Sequence, residues 1–203
     1  MPTFRHRTKL TPDGKGSADM RNVHLEVGNK EIGTAKTWAY PNGTALGVFT
    51  LPTYELTVRG TNGKGGSVIK TFEVFRFGLL CKDPASGASV VGLANAQSHI
   101  IKAWLPHYRV HSAPSREDGA WQVYDNFLIH DGPDDTQDKV SPYASIGCIE
   151  LCGPRQFIAF NDLIIELSGP SAAKRADQLA EVGRSKTIEI RYLPAKRPKA
   201  SPG

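Results

Sequence analysis

Tyr54-Glu55-Leu56-Thr57-Val58, Asn62-Gly63-Lys64-Gly65-Gly66, and then Val68-Ile69-Lys70-Thr71-Phe72-Glu73-Val74-Phe75-Arg76-Phe77 form the stretch that decides the fold class. Apolar side chains recur at every second residue on both sides of a glycine-rich turn, the period of a strand with one face buried. The Asn-Gly and Gly-Gly pairs supply the positive φ that hairpin turns require. The same β-like patterning appears upstream at Val23-His24-Leu25-Glu26-Val27 and Val48-Phe49-Thr50-Leu51. Downstream it returns at Tyr108-Arg109-Val110-His111, at Trp121-Gln122-Val123-Tyr124, at Phe127-Leu128-Ile129-His130 and over residues 187 to 193. Helical spacing is expected over Ala94 to Leu105 and over Arg155 to Leu167, where Phe157, Phe160, Leu163, Ile164 and Leu167 fall on one face and Ser168-Gly169-Pro170 stops the run. A further helix, Ala172 to Val182, is expected to end at Gly183. The pattern predicts a mainly β fold, an antiparallel sandwich or open barrel with the helices near 155 to 167 and 172 to 182 packed against it.

Size and composition narrow the function. A chain of 203 residues with 39% apolar and 22% charged residues suits one domain with extensions and excludes collagen, coiled coil and small disulfide scaffolds. The domain is expected over residues 21 to 193, between an N-terminal arm (1 to 20) and a basic, proline-rich tail (194 to 203) that reads as solvated and flexible. Twenty-five Lys and Arg against 20 Asp and Glu give a net charge of +5, which favours anionic surroundings such as nucleic acid, lipid headgroups or a carboxylate-rich cell wall. No run approaches the length of a membrane span, and no apolar segment follows the basic start, so the expectation is a soluble chain made in the cytosol without a secretory signal.

Chemistry concentrates between Phe127 and Cys152, where a strand ending in His130 leads through an Asp-, Pro- and Gly-rich loop to Ser145-Ile146-Gly147-Cys148-Ile149. A thiol attacks as thiolate, and an imidazole beside it takes the proton and later returns it to the leaving group. Gly147 admits a close approach of substrate to backbone, and N–H groups around Cys148 can hold an oxyanion. Cys148 and His130 are therefore the expected catalytic pair, drawn as thiolate and imidazolium. Either a loop acid or a backbone carbonyl would orient His130. Tyr143 and Trp121 are candidates to line a substrate groove, with core packing as their other reading. Cys81 reads as core, and a Cys81–Cys152 bridge stays open.

This order and spacing, His130, fourteen residues, Ser145, one residue, Gly147, Cys148 and an apolar Ile149, resembles the signature of the L,D-transpeptidase (YkuD-like) catalytic domain. Thr44-Ala45-Leu46-Gly47-Val48-Phe49 is similar to a stretch common in the same family. The resemblance implies an L,D-transpeptidase-like β fold, with Cys148 as nucleophile, His130 as base and acid, Gly147 with Cys148 at the oxyanion site and Ser145 supporting the loop. It implies a substrate as well: the peptidoglycan stem tetrapeptide, cut between its third residue and the terminal D-Ala through a thioester. The acyl group then passes to an amine in transpeptidation, to a D-amino acid in exchange, or to water in L,D-carboxypeptidase hydrolysis, and the chemistry requires no cofactor or metal. Some members of similar short architecture are antibacterial effectors of type VI secretion, which implies a periplasmic site of action and an immunity protein or delivery partner. Three positions depart from the family pattern. Ile146 stands in place of a second histidine, Glu150 in place of Asn or Arg, and Asp131 in place of Gly, so all three are candidate determinants of substrate binding.

Other classes fit less well. Papain-like enzymes place Cys before His in the chain, the reverse of the order here. A nucleic-acid binder rests on the net charge and the basic tail, with no recognised motif, so no nucleic-acid partner is expected. The Cys148-x-x-x-Cys152 pair lacks a second Cys/His pair for zinc, and Asp131, Asp134, Asp135 and Asp138 lack calcium-loop spacing. The reading from a different class is an altered or inactive scaffold that binds cell wall or protein, kept open by Ile146 and Glu150.

Overall fold

A computed structural model describes residues 20–41, 46–108, 117–133 and 146–203. The alternation at Val23 begins a longer strand than the sequence suggests. β1 (Val23–Thr37) continues past its first apolar run and pairs antiparallel with β3, with register shifts between Val27 and Gly33. A two-residue strand, β2 (Tyr40–Pro41), lies between them in the chain, and β3 itself runs Phe49–Thr61 through Pro52 as a single strand. Proline is tolerated there because β4 (Ser67–Phe75) pairs with β3 only as far as Tyr54, so Pro52 sits where β3 has outrun that neighbour. The strand expected over 68 to 77 breaks at Arg76, and the chain crosses into a small second sheet built from β2, β5 (Gly78–Cys81) and β6 (Ser89–Val91).

Residues 94 to 105, expected as a helix, instead form β7 (Gln97–Ile100) and β8 (Ala103–Leu105). Each is too short to show a period of its own. The strands expected at Trp121–Tyr124 and Phe127–His130 are present as β9 (Ala120–Tyr124) and β10 (Phe127–Asp131), which pair as a hairpin, and β11 (Ile149–Leu151) joins β10 in parallel. After α1 (Gln156–Ser168) and α2 (Arg175–Ser185), β12 (Ile188–Tyr192) runs parallel to β1, and β13 (Ser201–Pro202) pairs with β3. Among the described residues the large sheet has the order β7-β12-β1-β3-β4-β11-β10-β9-β8 and is mixed rather than purely antiparallel. Its two end strands are consecutive in sequence. Ile101 donates to Ile188 and Lys102 to Gln122, and His99 stacks on Tyr124 with ring centroids 4.9 Å apart. The sheet therefore curls until its ends meet.

The core fills one side of this curled sheet and is closed by α1. All five apolar residues predicted on one face of α1 are buried, and Phe160 meets Phe72 of β4 edge-on with centroids 5.6 Å apart. Gly169, left-handed at φ 69°, ends α1 by donating to Ile165. Trp121 belongs to the same core: it is 1% exposed, tilted against Trp104, and donates its indole N–H to Asn161 at 2.8 Å. Asn161 in turn donates to Glu117, which receives Arg175 at the start of α2.

Two boundaries differ from the sequence reading for steric and hydrogen-bonding reasons. α2 runs through Gly183 to Ser185, because that glycine is where the helix touches β8: a Cβ on it would lie 2.5 Å from the Trp104 backbone nitrogen. Gly183→Ala is accordingly expected to destabilise the protein by about 1–3 kcal/mol in chemical denaturation, overpacking outweighing the ~1 kcal/mol that alanine gains in helix propensity. A more stable variant would show that the contact yields freely. The tail expected to be loose is docked. Ala195 donates to Ala94, Asn29 donates to the Pro194 carbonyl, and Gly203 donates to Val48. The arm, residues 1 to 19, lies outside the described residues, and no helix among those described is long and apolar enough to cross a membrane.

Candidate active site

β10 carries His130, and Cys148 immediately precedes β11. The parallel register of the two strands pairs Ile129 with Ile149 and His130 with Glu150, so Cys148, one residue ahead of β11, falls beside Leu128. Side chains alternate across a sheet, which puts Leu128, His130, Cys148 and Glu150 on one face. Cys148 packs there with Leu128 and Ala120. Extending that register by one residue makes His130 and Cys148 diagonal neighbours.

The imidazole is 2% exposed and its Nδ1 lies 2.7 Å from the Asp131 carbonyl. A carbonyl only accepts, so Nδ1 carries the proton, and a neutral ring then has its basic lone pair on Nε2. This contact is of the backbone-carbonyl kind that the sequence leaves open as an orienting group; the loop acids Asp134, Asp135 and Asp138 lie outside the described residues. Asp131 itself is 7% exposed.

Cys148 is 5% exposed, and its thiol donates to the Asn126 carbonyl in the β9–β10 turn at 3.7 Å. Burial pushes the thiol up to about 12, the Glu150 carboxylate adds to this, and hydrogen bonding to the Leu128 and Cys148 backbone opposes it. Burial and the neighbouring carboxylate both favour the neutral thiol, and so weigh against the thiolate–imidazolium pair expected from sequence.

Gly147 is required for a reason the sequence did not reveal. It sits at φ 100°, and a Cβ on it would lie 2.5 Å from the Gly92 Cα and 3.0 Å from the Val91 carbonyl. What approaches Gly147 is the backbone after β6, where the sequence reading expected substrate. Around the thiol, Tyr108 tilts its ring toward His130 at 6.2 Å, and its phenol is raised by burial, then by the charges of Cys148, Glu150 and Tyr40. Tyr108 and Tyr40 are 41% and 49% exposed and Ile146 is 38% exposed, so these three form the solvent-facing edge of the site.

Of the residues expected to meet substrate, Ile146 is exposed, whereas Glu150 (2%) and Asp131 are buried in paired strands and Trp121 is in the core. The groove-lining role for Trp121 gives way to packing, because its buried ring meets Trp104 and its N–H is taken by Asn161. Ser145 and Tyr143 lie outside the described residues, as do Thr44, Ala45, His111, Asp134, Asp135 and Asp138. Tyr108, Tyr40 and Gly92 escaped the sequence reading as site residues, since each arrives from a distant segment without a local motif. All three cysteines are free thiols, with Cys81 and Cys152 in one apolar cluster around Leu51, Phe75 and Leu79. Among the described residues no group of three or more His, Cys, Asp or Glu side chains is placed to hold a metal ion. Compared with protein-family models, with curated proteins and with solved structures, the chain matches none.

Proposed function

We propose that this chain is a cysteine acyltransferase of the L,D-transpeptidase type that acts on peptidoglycan stem tetrapeptides. The observation that carries this reading is the strand register that makes His130 and Cys148 diagonal neighbours, with Nδ1 donating to a carbonyl so that the basic lone pair of a neutral ring is on Nε2. In the reaction, His130 Nε2 takes the thiol proton as Sγ attacks the carbonyl carbon of the third stem residue. Backbone N–H groups at Gly147 and Cys148 take the oxyanion-binding role that the resemblance implies. The C–N bond to D-Ala breaks, His130 delivers the proton to the departing amine, and a thioester remains. An incoming amine, D-amino acid or water then attacks the thioester, passes its proton to His130, and releases Cys148 as thiol. As an antibacterial effector of type VI secretion, the role the resemblance adds, such an enzyme would meet its substrate in a rival's periplasm and need an immunity partner in the producing cell.

The burial of Cys148 and the high pKa of its thiol favour a second reading, a scaffold that binds cell wall or protein without turnover. Mass spectrometry of purified tetrapeptide muropeptides incubated with the wild type and with Cys148→Ala, with and without a D-amino acid, separates the two. Loss of D-Ala, exchange or a 3-3 dimer with the wild type only is the expected result. Unchanged muropeptides with both proteins would favour the binding scaffold.

A further inference from the structure

The reaction above leaves a fully buried cation unused. Arg76, between β4 and β5, has no exposed surface, a rare place for arginine. Its guanidinium donates to carbonyls of three separate segments. Nη1 reaches Gly28 at 2.7 Å in the irregular part of β1, Nη2 reaches Leu193 at 2.5 Å just past β12, and Nε and Nη2 both reach Leu93, at 3.2 and 2.9 Å. The Tyr54, Phe77 and Tyr192 rings stand 5.4 to 6.0 Å from its Cζ. Carbonyl oxygens and π faces thus replace the water that a buried cation loses.

Leu93 follows Gly92, and Gly92 is wedged between this clamp and the cysteine loop. At φ 143°, a Cβ on Gly92 would lie 2.8 Å from Phe77 Cδ1 and 2.9 Å from the Arg76 carbonyl oxygen. On its other side the Gly92 Cα is the atom that a Cβ on Gly147 would strike. Main chain therefore rests on main chain from Arg76 through Gly92 to Gly147, and Cys148 is the next residue. The docked tail braces the same turn from outside, through Arg197 Nη2 to the Gly92 carbonyl at 3.4 Å and Ala195 N–H to the Ala94 carbonyl at 2.9 Å. Tyr192 connects the two sites electrostatically: burial raises its phenol first, Cys148 raises it further, and Arg76 opposes.

We infer that Arg76 is a positioning residue of the Cys148 site: by fixing the Leu93 carbonyl it holds the Gly92 turn against Gly147 and so sets where Cys148 Sγ and its backbone N–H stand. The inference rests on Cys148 being the working thiol of the proposed function, but its test needs no muropeptide. Iodoacetamide alkylation of the native full-length protein, resolved by peptide mapping, reports Cys148 separately from Cys81 and Cys152. In Arg76→Lys, which keeps the charge but cannot span three carbonyls, Cys148 alkylation is expected to rise about tenfold, with its pH profile displaced down by about one unit, while the other two thiols stay unchanged. Arg197→Ala, a surface change that leaves the interior intact, is expected to move Cys148 in the same direction by a few-fold and decides the matter if Arg76→Lys does not fold. An unchanged Cys148 rate, or a rise shared equally by all three thiols, overturns the inference, the latter by showing a general clamp of the fold. A chain inert toward tetrapeptides would still give the expected alkylation pattern, so the two proposals fail separately.

Discussion

At pH 7.5 Cys148 in the folded protein is expected to react with iodoacetamide about a thousandfold more slowly than a free cysteine. The ordinary thiol titrates near ~8.5, and burial followed by the Glu150 carboxylate pushes Cys148 up to about 12, which cuts the thiolate fraction by roughly three orders of magnitude. The rate should climb about tenfold per pH unit beyond the point where a free thiol levels off. Because the folded value lies above the unfolded one, the stability linked to this group is fully present below about pH 8.5. It is lost as pH rises toward 12, so alkaline unfolding is expected in that window. Under the proposed function, the proton must then be drawn off during attack at neutral pH. His130→Ala is accordingly expected to lower tetrapeptide turnover by ~10²–10⁴-fold while leaving the slow resting alkylation unchanged. Fast neutral-pH alkylation that disappears in His130→Ala would instead establish a standing thiolate–imidazolium pair and refute the neutral resting state.

The parts of this molecule legible in the sequence are those specified locally. The α1 face could be read because five apolar residues at helical spacing meet one surface, and the β9–β10 hairpin because its two runs are adjacent. Residues 94 to 105 misled because β7 takes its conformation from β12, remote in the chain, and β8 from the next strand, β9, and both are too short to carry a period. Gly183 looked like a stop for the same reason: a glycine demanded by a neighbouring backbone cannot be told from a capping glycine without the neighbour. The proline-rich tail seemed loose because its hydrogen bonds run to β3 and to residues 29 and 94, which no local pattern predicts. At the site, His130 and Cys148 were legible through their spacing and the groups around them were not. Tyr108, Tyr40 and Gly92 are brought in by the curl of the sheet and by backbone contact.

Phe160→Ala is expected to cost about 3–5 kcal/mol and to lower the melting temperature by roughly 10 °C. The ring is 1% exposed and sits where α1 closes the curled sheet, edge-on to Phe72 of β4 and stacked over Phe157, which stacks in turn on Trp104 of β8. Truncating it leaves a cavity that bordering strands cannot fill without giving up their own pairing, so most of the lost burial should appear in the equilibrium. α1 begins only five residues after Leu151, the last residue of β11. If α1 were a separable lid, the variant would loosen Cys148 ahead of global unfolding. Since α1 shares one continuous apolar cluster with β1, β3, β4, β9 and β12, Cys148 alkylation and tryptophan fluorescence are expected to follow the same transition in denaturant. Separate midpoints, with Cys148 exposed first, would show that the helix and the cysteine strand open as an independent unit.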